Sequence, residues 1–106
     1  MICLGIESTA HTFGAGIVTE KGKVLANIKD TYTTQTGGIH PTLAKEHHLK
    51  VAQPIIEQAI AKAKIDEKDI SFISFSQGPG LSPCLLVGIK YAKEFSYIYY
   101  VIIKFS

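Results

Sequence analysis

The sequence predicts an α/β fold, a mixed sheet with helices packed on it, in the element order β-β-β-α-β-α-β. Three observations predict it. Two β-rich runs meet at a glycine turn, Glu20-Lys21-Gly22-Lys23. A four-residue apolar repeat extends over residues 41–64. Short apolar runs at 70–76 and 98–105 then flank a second helical stretch. Strands joined by short turns make an antiparallel meander, and helical crossovers return later strands to the same sheet.

The elements follow in order. Ile2 to Ile6 is a short apolar strand ending at the polar cluster Glu7-Ser8-Thr9, and Phe13 to Thr19 is Gly-rich and β-branched. The Gly22 turn leads into a third strand, Val24 to Thr34, which is a hairpin signal. Gln35-Thr36-Gly37-Gly38 reads as a break before a helix over 41–64. Pro41 suits the first helical turn, where a missing N–H is no loss. Leu43, His47, Val51, Ile55 and Ala59 form its apolar stripe, with Ala52, Ile56, Ile60 and Ala63 beside them. Pro54 predicts a bend, because an interior proline removes one helical hydrogen bond. Ile70 to Ser76 is a buried strand, and Gln77 to Pro83 is a constrained loop opening a second helix over 83–97. Ser82 suits its N-cap and Pro83 its first position. Ile98 to Phe105 closes the sheet as a buried strand.

Composition bounds the function. A chain of 106 residues is one domain. It is 46% apolar and 19% charged, which fits a folded globular chain and excludes disorder. Cys3 and Cys84 lack CxxC spacing and read as reduced thiols in an intracellular protein. The start shows no basic leader, and the apolar run 97–103 is about a third of a membrane span, so a cytoplasmic protein without membrane contact is expected. Every basic residue apart from the histidines is Lys. The planar fork that grips phosphate or guanine bidentately is missing, so this segment alone is a poor nucleic-acid binder.

The element order is that of the ribonuclease-H-like lobe of actin-like, Hsp70 and sugar-kinase ATPases, in which the β1–β2 turn points into the nucleotide cleft. That makes Glu7, Ser8, Thr9 and His11 the candidate phosphate-side residues. Hydroxyls and turn N–H groups hold phosphate oxygens, and a carboxylate holds a metal-bound water. Spacing alone fits an ordinary polar hairpin turn as well. Gln77-Gly78-Pro79-Gly80 outlines a phosphate loop, but Leu81-Ser82-Pro83 stands where a Walker loop needs Gly-Lys-Ser/Thr. His40, His47 and His48 lack the i, i+4 spacing of a zinc helix, and His47 reads as a satisfied, half-buried member of the stripe. No serine sits in a GxSxG elbow. No catalytic residue and no metal ligand is assigned.

Taken together, three ordered segments resemble one family. Gly5 to Gly14 (GIESTAHTFG) is similar to the opening of the KEOPS tRNA threonylcarbamoyl-transferase subunit and its bacterial relative TsaD. Gly38-Ile39-His40-Pro41 with Glu46-His47-His48 resembles the family's HPREAAEHH element. Gln77 to Leu85 with Val87-Gly88 resembles its GPGLPPCLRVG element. The resemblance implies transfer of threonylcarbamoyl from an adenylate to adenosine 37 of tRNA, and KEOPS-type kinase and dimerising subunits as partners. It also implies an iron or zinc ion and an ATP-type ligand in the family, and a substrate-side role for His40, His47 and His48. Thr42 and Leu43 replace that element's Arg and Glu. The family's metal-binding histidine pair and second lobe lie beyond this stretch, so the chain is expected to be a truncated N-terminal lobe, family-like over 1–96 with a divergent, frame-shifted tail over 97–106. It is expected to hold no cofactor of its own, to be catalytically incomplete, and to self-associate through exposed apolar surface. A non-catalytic lobe that binds KEOPS-type subunits is the alternative. The family's older name, O-sialoglycoprotein endopeptidase, finds no nucleophile, zinc helix or acid pair here.

Overall fold

In the computed structural model, which describes residues 1–34, 38, 40–99 and 102–105 and side chains only through Ser96 within that set, β1 (Ile2–Glu7) lies near the middle of a five-stranded sheet. The strand order is β3-β2-β1-β4-β5. β2 (Thr12–Thr19) pairs antiparallel with β1, and β3 (Val24–Thr31) pairs antiparallel with β2. β4 (Phe72–Phe75) and β5 (Ile102–Phe105) add in parallel. The hairpin sits where expected. Gly22 takes a left-handed φ of 84°, and the Thr19 N–H closes the turn on the Lys23 carbonyl.

Two helices cover one face of the sheet. α1 (Pro41–Ala63) is one α-helix on both sides of Pro54, and α2 (Ser82–Tyr99) lies beside it. Side chains alternate along each strand, so Leu4, Ile6, Phe13, Ala15, Ile17, Ala26, Ile73 and Phe75 point to the helices and are buried. The opposite face carries Gly5, Glu7, Gly14, Gly16, Asn27, Lys29 and Ser74, which line a groove of about 380 Å³.

Four expectations are corrected. β3 stops at Thr31 and not at Thr34. α2 begins at Ser82 itself, with the Leu85 N–H returning to the Leu81 carbonyl, so Leu81 occupies the cap position. α2 continues to Tyr99, so the last strand starts at Ile102, four residues later than read. The buried stripe of α1 is Ala44-His48-Ala52-Ile55/Ile56-Ala59/Ile60, while Leu43 is exposed; His47 is half-buried, as read from the sequence. Small alanines at 44 and 52 set the helix close to the sheet, which turns the larger Leu43 outward. The break expected at residues 35–37 lies outside the described residues, as do Ile39, the side chains of 97–99 and 102–105, and residues 100, 101 and 106.

α2 meets β1 through Gly88. A Cβ built there would overlap the fully buried Ser8 Oγ and stand 3.5 Å from Ile6. Gly16 meets only the Ala26 carbonyl, at 3.7 Å, an ordinary contact. Gly88→Ala is therefore expected to cost about 1–3 kcal/mol by overpacking. Gly16→Ala is expected to stay within about 1 kcal/mol of the parent. Urea unfolding of both variants checks the contrast.

Candidate phosphate-side site

The site begins with the turn between β1 and β2. Glu7 ends β1, and its carboxylate folds back on the turn, accepting from the Thr9 N–H at 3.0 Å and the Thr9 hydroxyl at 2.5 Å. The next three carbonyls are each held by a different element. Thr9 O accepts from the Leu81 N–H before α2, at 2.7 Å. Ala10 O accepts from His48 Nε2–H of α1, at 2.7 Å. His11 O accepts from the Tyr32 N–H just past β3, at 2.6 Å. All three carbonyls are thus turned toward the protein body. Among the described residues no backbone acceptor meets the Ala10 or His11 amide.

Gly80 makes the first of these contacts possible. A Cβ there would stand 2.5 Å from the Thr9 carbonyl oxygen, so only glycine lets the loop reach the turn. The glycines of Gln77-Gly78-Pro79-Gly80 thus serve backbone approach to the β1–β2 turn.

The histidines make the second contact. His48 is fully buried, with its ring edge-on to Phe13 at 5.8 Å between centroids. Its Nδ1 faces His47 Nδ1 at 2.8 Å, and His47 Nε2 reaches Asp30 Oδ1 of β3 at 2.7 Å. Tyr32 flanks His47, with ring centroids 6.0 Å apart. Burial is the largest influence on His48 and lowers its pKa below the ordinary 6.5; the Ala10 carbonyl opposes this. His48 is therefore neutral near pH 7.

The sequence-derived candidates are distributed unevenly. Glu7 is exposed and lines the sheet groove, Thr9 is half-buried, and His11 is exposed. The Ser8 side chain points inward, with its hydroxyl buried against Gly88 and without a hydrogen-bond partner among the described residues. His40 sits at the N-cap of α1, exposed and making no side-chain cap bond. His47 and His48 come together, and His48 lies directly behind the turn. Asp30 and Ala10 were not singled out from the sequence, and Gly80 was read there as part of a glycine loop without its partner, the Thr9 carbonyl. Ala44-His48-Ala52, a four-residue spacing of small residues around a histidine, is the signal that marks His48 as the inward ring.

No group of three or more His, Cys, Asp or Glu side chains among the described residues could hold a metal ion. The family's iron or zinc therefore finds no matching donor set among the described residues. No helix among these residues is long and apolar enough to cross a membrane.

Comparison with known proteins bears on this geometry. The family model "TsaD: tRNA N6-adenosine threonylcarbamoyltransferase" matches residues 23–101. A protein of that name from Thermococcus sibiricus is 59% identical over 87 residues, which cover 82% of this chain and 26% of the relative. The Thermofilum pendens relative is 45% identical over 103 residues, covering 97% of this chain and 29% of the relative. The chain thus spans between a quarter and a third of the length of these curated relatives. Among solved structures, YeaZ from Pseudomonas aeruginosa superposes with a TM-score of 0.78 at 12% identity, over 99% of this chain and 42% of that one. Thermus thermophilus RuvC superposes with a TM-score of 0.57 at 12% identity, over 100% of this chain and 63% of that one. At these identities the likeness shows the fold alone, which is ribonuclease-H-like.

Two outcomes follow from the site. Ser8→Ala removes a buried hydroxyl that has no partner among the described residues, so it is expected to leave stability unchanged or raise it by about 1 kcal/mol, readable as a rise in melting temperature. A histidine whose folded pKa lies below its unfolded value binds more protons when unfolded. Its contribution is fully present above pH 6.5 and is lost as pH falls through the folded pKa. Denaturant midpoints from pH 7.5 to 5 should fall on the acid side, and replacing His48 by Gln should flatten that fall.

Proposed function

The chain belongs to the TsaD family of tRNA N6-adenosine threonylcarbamoyltransferases, and on that premise we propose that it forms one wall of a nucleotide-type cleft without completing the transferase. The observation that carries this reading is the β1–β2 turn. Its three carbonyls are drawn inward, and among the described residues neither the Ala10 nor the His11 amide meets a backbone acceptor, which leaves them to an anion in this reading. Consecutive backbone N–H groups in a fixed turn are an anion-binding device that needs no arginine. That matters in a chain whose Lys and Arg complement is lysine alone.

Within this reading Thr9 and His11 border the anion, and the Glu7 carboxylate holds Thr9 in place. Ser8 contributes backbone and packing, because its hydroxyl faces α2. His47 and His48 support the turn from behind, and His40 stays at the substrate-side rim. The tRNA, the adenylate and the KEOPS-type kinase and dimerising subunits belong to the family's whole enzyme and are proposed on that basis. A cytoplasmic setting goes with them. Charge development during acyl transfer needs groups on both sides of the reacting carbonyl, and this lobe offers one side.

The alternative, a lobe that serves by binding partner subunits, has its own support. A groove of about 180 Å³ between α1 and α2 is lined by Ile56, Ile60, Tyr91 and Phe95, with Glu57 and Glu94 at its edge. The two readings separate in one preparation. The purified chain, given threonylcarbamoyl-adenylate and unmodified ANN-decoding tRNA, is expected to give no modified adenosine while still binding ATP weakly in calorimetry. Turnover would overturn the proposed incompleteness. A chain that captures partner subunits but shows no heat with ATP would favour the alternative.

A further inference from the structure

The two rings of α1 carry a countable number of protons. His48 Nε2 faces a carbonyl oxygen and His47 Nε2 faces a carboxylate oxygen, neither of which can donate, so both nitrogens carry hydrogen. The two Nδ1 atoms face each other at 2.8 Å, which leaves room for one hydrogen between them. Meeting all three contacts at once takes three protons on four nitrogens, which is one net positive charge on the His47 side of the pair, facing Asp30.

From this count we infer that His47 and His48 form a proton-counted latch, which holds the β1–β2 turn closed as long as the pair carries no more than a single charge. The two ways of leaving the singly charged state differ. A fourth proton places two N–H groups against each other across the Nδ1 contact. It also puts a charge on the ring in the core, where among the described residues the Ala10 carbonyl is its only hydrogen-bonded oxygen. His48 then moves toward solvent and the turn loses its middle anchor. Loss of the third proton leaves Asp30 facing a lone pair, or leaves the two Nδ1 lone pairs facing each other, while His48 Nε2–H still holds Ala10. Acid frees the turn; alkali frees only the link from α1 to β3.

Among the described residues, few titratable groups face the pair. Glu7 and His11 act on His48 from the β1–β2 turn, Asp30 reaches His47 from β3, and the Tyr32 ring flanks His47. His11 and Glu7 act in opposite directions on His48, and burial outweighs both. The latch concerns the shape of the turn and stands without any ligand. Its consequence, that anion binding at the turn is proton-linked, rests on the function proposed above.

The test therefore reads the turn in the free 106-residue chain. Long-range ¹H–¹⁵N spectra of the imidazoles near pH 7 should show His47 protonated at both nitrogens and His48 at Nε2 alone. On acidification the protection factor of the Leu81 amide, which donates to Thr9, should fall by about tenfold per pH unit below the second protonation of the pair. On the alkaline side it should hold. Asp30→Asn, at an exposed position, should remove the charge from the pair at neutral pH and leave Leu81 protected. His48 bearing its hydrogen on Nδ1 would overturn the latch. So would two rings titrating independently at the ordinary histidine value, or a Leu81 amide indifferent to acid. ATP binding measured on the same sample reports separately on the phosphate-side reading.

Discussion

Three successive peptide carbonyls, Thr9, Ala10 and His11, are each claimed by a donor from a different element, and the architecture is arranged around that constraint. Leu81 approaches from the loop before α2, His48 from α1 and Tyr32 from the end of β3. A reversing turn on a sheet edge normally satisfies its polar groups with water, and its conformation drifts accordingly. Here the turn is fixed by elements far apart in sequence, so its geometry is a property of the tertiary fold. A peptide whose carbonyls all point inward must direct amides elsewhere, and the proposed phosphate-side reading rests on that second consequence.

Holding the carbonyls requires close approach, which explains where side chains are smallest. Gly80 lets the loop backbone reach Thr9, and Gly88 lets α2 settle on Ser8. Alanines at 44 and 52 bring α1 near enough for the His48 ring to reach Ala10. The cost appears at Ser8, whose hydroxyl is sealed beneath α2 without a partner among the described residues. A buried hydroxyl in that state opposes folding by roughly 1–3 kcal/mol. The structure therefore tolerates a local penalty at the residue next to the turn that it holds most tightly.

Strand order, the parallel return of β4 and β5, and the position of both helices follow from hydrophobic period and turn residues, which act locally and leave a trace in sequence. The site was legible only in part. Glu7 and Thr9 could be placed on the β1–β2 turn because a strand must end where Ile6 gives way to a polar cluster. Which of two adjacent histidines faces inward could not be settled by a stripe that began at Leu43. The choice depends on how near α1 lies to β2, and the alanines decide that. Asp30 offered no local signal as the partner of His47, because it lies in a strand 17 residues away. Gly80 announced a close approach without naming what approached. Long-range backbone contacts have no sequence period, and that is why they were missed.

The same constraint explains why the paired imidazoles are adjacent on α1. Residues i and i+1 on a helix point about 100° apart, so one ring can enter the core while its neighbour stays at the surface. Their Nδ1 atoms then meet at the boundary, and the pair spans the distance from a buried carbonyl to an exposed carboxylate. A single lysine could not replace it, since its ammonium would have to be desolvated to reach Ala10. A glutamine would reach Ala10 but would not carry the link onward to β3. Two rings sharing three protons place a neutral donor inside and a cation outside, which is the distribution a low-dielectric interior and a surface aspartate each favour. The inward pull on the turn thus needs no buried charge, and the charge that the pair does carry lies beside β3, where solvent and Asp30 both stabilise it.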